Sequence, residues 1–320
     1  TMKQIMNNVS MTMPQTDIAT SDRDPTATAD SPLPRSASAA ETPEPPAMDM
    51  ASCDRRFPGL LDSIGLLAGG ANVIMQLSRM PVGYGVMESR VHSGSLFKHP
   101  LKRSRTTITY LAVALLGTVE EKQAYRQAVN RQHAQVRSAP GAKVAYNAFD
   151  PDLQRWVAAC IYWGYSDTRE KFRAPLPATE ADAFYRISRS IGTTLQMRRD
   201  QWPVDRAAFD VYFEDGLRQA AIDEPLRAYL TAIADLKFMH PLVRLLLGRF
   251  NRFMTTGFLP QPLREQMHFD WSAVDQRRFE RFLRIAGGIN ALMPRFIRQL
   301  PIRLVLADFR WRLRTGRSLA

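Results

Sequence analysis

Apolar residues recur along most of the chain at three- and four-residue intervals, the period of amphipathic helices, and the long alternating runs that mark strands are missing. The pattern predicts helices over residues 59–80, 84–94, 101–116, 119–138, 150–171, 180–198, 205–215, 223–239, 241–256, 271–291 and 295–314. Gly69, Gly70, Gly94, the Ala139-Pro140-Gly141 corner, Pro175 and Pro177 punctuate them. The best-marked helix is TVEEKQAYRQAVNRQHAQVR, residues 118–137, in which Thr118 and Glu121 stand at the spacing of a capping box. Tyr125, Val129, His133 and Val136 then follow at steps of four, four and three, so the imidazole points where the apolar side chains point. Asp150-Pro151 opens another helix with a capping carboxylate and a proline in the first turn. No internal repeat or heptad array is visible after residue 57, and a single all-α domain is expected.

Composition moves the start of that domain downstream. Residues 1–57 hold seven of the 21 prolines, many Ser, Thr and Ala, and eight acidic against five basic side chains, so they read as a disordered leader to a folded body at 58–320. The net charge of +12 divides into −3 on the leader and +15 on the body. No signal-like segment precedes Met48 and no stretch reaches 18 residues without charge, so neither secretion nor a membrane span is expected. Two cysteines, Cys53 and Cys160, are too few for a disulfide framework and suit a reducing, cytoplasmic compartment. Between residues 295 and 317 seven arginines and one acid, Asp308, interleave with Phe296, Ile297, Leu300 and other apolar residues. Such a segment suits either a solvated basic face or peripheral contact with an anionic membrane surface, as at a bacterial inner membrane. No motif that reads bases accompanies the charge, which argues against specific nucleic-acid binding.

The candidate chemistry centres on His133. A histidine in an apolar stripe is either a packed, hydrogen-bonded core residue or a metal ligand whose second ring nitrogen donates to an acceptor, and the pattern leaves both open. Other chemistries lack their signatures: there is no nucleotide loop around Gly69-Gly70, no H-E-x-x-H zinc motif near His240 or His268, and no G-x-S-x-G elbow. His92, His99 and the carboxylates Glu120, Glu121 and Glu170 read as caps or surface groups, and Met75, Met80 and Met87 as core.

Four elements in order, LLAGGANVIMQLSRMPVGYGVMES, SGSLFKHPLKRSRTTITYL, HAQVR and YNAFDPDLQRWVAACIY, resemble the oxygenase family that includes bacterial latex-clearing rubber oxygenases and the fungal mycophenolic-acid pathway oxygenase. The resemblance spans roughly residues 60–260. It implies an all-helical fold between a globin-like and a bundle arrangement, a b-type haem, dioxygen as co-substrate, and an apolar or polyisoprenoid-like substrate cleaved oxidatively. In that family the histidine of H-x-x-V-R is the proximal iron ligand, here His133, and Arg137 is in position to pair with a haem propionate. Within KRSRTT, residues 102–107, Arg105 and Thr106 correspond best to the cation and hydroxyl on the oxygen side, although Lys102 with Thr106 and Arg103 with Thr107 share one spacing. The family often carries a second histidine after Trp-Val, where this chain has Ala158. That departure keeps alive the alternative of a non-catalytic, membrane-associated protein that binds haem or a hydrophobic ligand.

Overall fold

The computed structural model describes residues 48–89, 91 and 94–319. The sequence expected to form the leader lies outside the described residues up to position 47. The chain runs α1 (Met50–Arg56), a 3-10 turn (Ser63–Ala68), α2 (Gly69–Leu77), α3 (Met80–Met87), α4 (Pro100–Leu116), α5 (Val119–His133), α6 (Pro151–Phe172), α7 (Ala178–Ser188) and α8 (Ser190–Thr193). It continues, after a further 3-10 turn at Arg199–Gln201, through α9 (Arg206–Arg218), α10 (Glu224–Ala234), α11 (Pro241–Phe258), α12 (Gln261–Gln266), α13 (Ala273–Leu292), α14 (Arg295–Arg298) and α15 (Leu300–Arg314). Every regular element among the described residues is helical, and the one isolated β-bridge joins Arg137 to Asn147.

The folded body begins ahead of residue 58. Asp49 caps α1 by accepting from the Ser52 amide at 2.6 Å, and Cys53 and Phe57 belong to the core. At the centre stands α6, started by Asp150, which accepts from the Asp152 and Leu153 amides. Its side chains from Trp156 to Tyr162 are buried except Val157, because neighbours surround it: α2, α8, α9, α13 and the first 3-10 turn. On one flank α2 leads outward to α3, α10 and α11; on the other α8 leads to α4, which carries α5 and α15. The aromatic end of α6 is fully helical, and Tyr162 packs edge-on to Phe209 at 4.7 Å beside Tyr185 and Trp202. The Gly69-Gly70 pair serves helix packing at its second residue: a Cβ on Gly70 would sit 2.3 Å from Thr255 Oγ1 of α11.

Several boundaries depart from the periodicity. The helix expected over 59–80 is a 3-10 turn followed by α2, and that expected over 84–94 is α3, which ends at Met87. The helix expected over 119–138 stops at His133, because the next residues leave the helical ladder to pair with the returning chain: the Ala148 amide donates to the Val136 carbonyl and the Ser138 amide to the Tyr146 carbonyl, both at 2.9 Å. The Gly141 turn, at φ 76°, reverses the chain between them. Arg137 therefore lies on this hairpin-like loop, one turn beyond where the helix ends. Residues 180–198 break into α7, α8 and a loop, and residues 295–314 break at Gln299 into α14 and α15.

That last break aims α14 inward. The Asp62 side chain, 1 % exposed, accepts from Asn290 at 2.7 Å, Arg298 at 2.9 Å and Arg173 at 3.2 Å, while Asp54 pairs with Arg295 at 3.3 Å. The carboxyl-terminal arginines are thus largely committed within the fold, with Arg310 on Glu121 at 2.7 Å and Arg312 on Asp308 at 2.8 Å. Removing one partner of a buried ion pair strands the other charges. Asp62→Ala is expected to lower unfolding stability by about 3–5 kcal/mol in urea titration; a change below about 1 kcal/mol would show that the Asp62 cluster does not hold α14 and α13 to the amino-terminal turn.

Candidate active site

The site is built where α5 ends. The capping box forms as the spacing predicts, with Glu121 N donating to Thr118 Oγ1 at 3.2 Å and Thr118 N to Glu121 Oε2 at 3.1 Å. Tyr125 is buried, and its hydroxyl donates to the Thr106 carbonyl at 2.6 Å, fixing α5 against α4. An amide chain secures the other end. Gln154 of α6 donates to Gln196 and to the Ala148 carbonyl, Gln196 donates in turn to Asn130 of α5, and the Gln196 amide returns to Gln154 Oε1 at 2.8 Å. This chain ties the last turn of α5 to α6 and to the hairpin-like loop, so the direction of His133 is set by three elements.

His133 is half-buried, and the Phe149 ring meets it edge-on at 6.3 Å. Its Nδ1 is buried without a hydrogen-bond partner, whereas Nε2 is neither buried nor bonded. Burial first, and the positive charge of Arg103 second, push the imidazole down to a pKa of about 4, so it is neutral at physiological pH.

Arg103 is the cation of this site. It retains free surface, yet surrounding protein strips its hydration strongly enough to lower the guanidinium pKa, an effect that Tyr229 and Tyr125 partly oppose. Tyr110 and Tyr125 are similarly dehydrated, and burial pushes both phenols well above their ordinary range. Tyr110 donates to the Ile191 carbonyl of α8, and Phe97 packs on Tyr229 at 5.3 Å. Uncharged phenols, an uncharged imidazole and one guanidinium therefore converge between α4, α5 and α10.

The other candidates stand elsewhere. Arg105 Nη1 binds Asp308 Oδ2 at 2.9 Å and so ties α4 to α15. Thr106 and Thr107 both turn their hydroxyls back onto the Arg103 carbonyl, at 3.0 and 2.9 Å. Lys102 is half-buried. Arg137 is exposed and makes no side-chain hydrogen bond or ion pair among the described residues. Ala158 is buried in the core of α6. His92 lies outside the described residues; His99 and His240 stand at helix starts, and His240 accepts from the Leu242 amide at 3.3 Å. Residues 59–288 match the family described as ER-bound oxygenase mpaB/B'/Rubber oxygenase, catalytic domain.

The chain belongs to this oxygenase family. The matched span holds all of α5, the Arg103 wall and α6, and leaves α14 and α15 outside it. Uncharacterized proteins of Mycobacterium bovis and Mycobacterium tuberculosis are each 46 % identical over 254 residues, covering 79 % of this chain and all of theirs. No solved structure matches. Phe149, Tyr229 and the Gln154–Gln196 pair are site-building residues that periodicity did not single out, since each acts through neighbours distant in sequence.

The neutral state of His133 has a consequence for the unliganded mpaB/rubber-oxygenase-type chain. Its pKa falls from 6.5 unfolded to about 4 folded, so the unfolded state takes the proton first as pH drops. The associated stability is complete above about pH 6.5 and is lost on descending to pH 4, on the order of 3 kcal/mol in all. Urea midpoints measured across that window are expected to fall more steeply for the wild type than for His133→Leu. Parallel pH profiles would show that the imidazole is not held neutral.

Proposed function

We propose that this chain is a haem-b-dependent oxygenase that uses dioxygen on an apolar, olefinic or lipid-like substrate by oxidative cleavage, with His133 as the protein's ligand to the iron. The observation that carries the reading is a neutral imidazole at the end of α5, its Nδ1 buried without a partner and its Nε2 unbonded, under the influence of the Arg103 charge, in the position of the H-x-x-V-R element of this family.

The residues present suit such a group. Among the described residues no three His, Cys, Asp or Glu side chains converge on a point, so a metal here would bring most of its own ligands, as a macrocycle does. A neutral imidazole needs no deprotonation before it ligates. The orphaned Nδ1 is the nitrogen that commonly donates to an acceptor when its partner is metallated, and the expected carboxylate is absent from it. When bound, the haem would supply the redox chemistry of dioxygen.

The chain's own residues would control that chemistry. Arg103 is the positive charge that acts on His133, and from there it would stabilise negative charge developing near the iron. The role expected of Arg105 passes to Arg103 in this reading, since Arg105 is held by Asp308 and acts as a positioning residue for α4. Thr106 supports the wall through its carbonyl to Tyr125. Arg137, four residues past His133 and without a partner, remains available to a propionate.

The haem-loaded protein is expected to consume dioxygen with a member of a panel of apolar alkenes, releasing carbonyl products detectable by mass spectrometry. Arg103→Gln is expected to retain haem and lose about 10²-fold in turnover, while Arg105→Gln changes stability rather than turnover per folded molecule. Equal turnover losses in both variants would remove the assignment of Arg103. Ala158 motivates a second reading, binding without turnover; full haem uptake with no dioxygen consumption across the panel would favour it.

A further inference from the structure

The amino-terminal half of α11 is apolar and yet stands in the open. Leu242, Leu245 and Leu246 are 58, 75 and 68 % exposed, in the turns ahead of the buried Gly248 and Thr255. On α13, Ile285, Ile289 and Leu292 are 58, 58 and 88 % exposed, opposite Leu283 and Asn290. The two helices run antiparallel, as contacts of Phe250 with Phe282 at 5.4 Å and of Phe253 with Phe279 at 6.1 Å require. The exposed halves of α11 and α13 therefore lie toward the same end of the pair, with the Phe250–Phe282 contact between them. Exposed apolar side chains gathered at one end of a helix pair are the kind of surface that marks a binding face.

Charge identifies the partner. Residues 236–264 and 281–307 contain no Asp or Glu at all. Arg244 and Arg249 on α11, and Arg281 and Arg284 on α13, are exposed and form no ion pair among the described residues. An apolar stripe edged by unpaired arginines fits the boundary of an anionic bilayer, where leucines enter the acyl layer and guanidinium groups meet phosphates. Two copies of the same face would instead bring unpaired cations together. No described helix is long and apolar enough to cross a membrane, so the contact is peripheral. The arginines of residues 295–317 are a poorer anchor, because Arg295, Arg298, Arg310 and Arg312 are paired internally.

We propose that the α11–α13 face docks this protein on an anionic lipid bilayer, through Leu242, Leu245 and Leu246 of α11 and Ile285, Ile289 and Leu292 of α13. The proposal is independent of haem occupancy.

Sedimentation of the full chain with phosphatidylcholine vesicles containing about one-third phosphatidylglycerol, and with pure phosphatidylcholine vesicles, tests it. Binding is expected to the anionic vesicles and to weaken by at least about tenfold on pure phosphatidylcholine. The double variants Leu245→Glu/Leu246→Glu and Ile285→Glu/Ile289→Glu are each expected to lose about tenfold or more, with unchanged helical circular dichroism. Absence of binding to the anionic vesicles overturns the proposal, as does binding that survives both double variants. Loss in Leu304→Glu alone, with the α11 variants binding normally, would move the contact to α15 and also overturn it. A dimer seen by light scattering that the double variants dissociate, without vesicle binding, would assign the face to a second copy instead.

Discussion

A neutral imidazole held at the end of α5 is the constraint on which the rest of this structure turns. Burial disfavours its charged form, and the Arg103 charge adds to that effect. A folded protein retains such a group only where the surrounding helices over-determine it. Here they do: α5 is fixed at its start by its capping box, in its middle by the Tyr125 hydroxyl on α4, and at its end by the Asn130–Gln196–Gln154 amide chain.

The framework beyond the site serves the same end. Buried Asp62 gathers Arg173, Arg298 and Asn290, joining the segment before α2 to α6's end, α13 and α14. Asp308 takes both Arg105 and Arg312, so α15 is clamped on α4, the helix that presents Arg103. Basic residues that give the body its large positive charge are thus divided between internal ion pairs and an unpaired set on α11 and α13. The charge follows a structural and a surface logic at once.

Much of this was legible in sequence because it is local. The Thr118–Glu121 box and the Asp150-Pro151 start depend on spacings of a few residues, and the family resemblance follows ordered local motifs. What escaped was non-local. Arg103 and Arg105 stand two positions apart and so point to nearly opposite sides of α4; which one is taken up by an ion pair depends on Asp308, 203 residues away. The end of α5 at His133 is decided by pairing of Val136 and Ser138 with residues 146–148, which leaves no mark in periodicity. Period alone also cannot say which apolar face finds a partner, so the exposure of the α11 leucines is not written in it.

The central proposal is that His133 would hold a haem iron in this framework, and its most direct measurement is the optical and electron-paramagnetic spectrum of wild type and His133→Ala at matched haem occupancy. The account predicts a b-type haem with a histidine axial signature in the wild type and loss of that signature in the variant, with helical content retained. An unchanged spectrum in His133→Ala would contradict it.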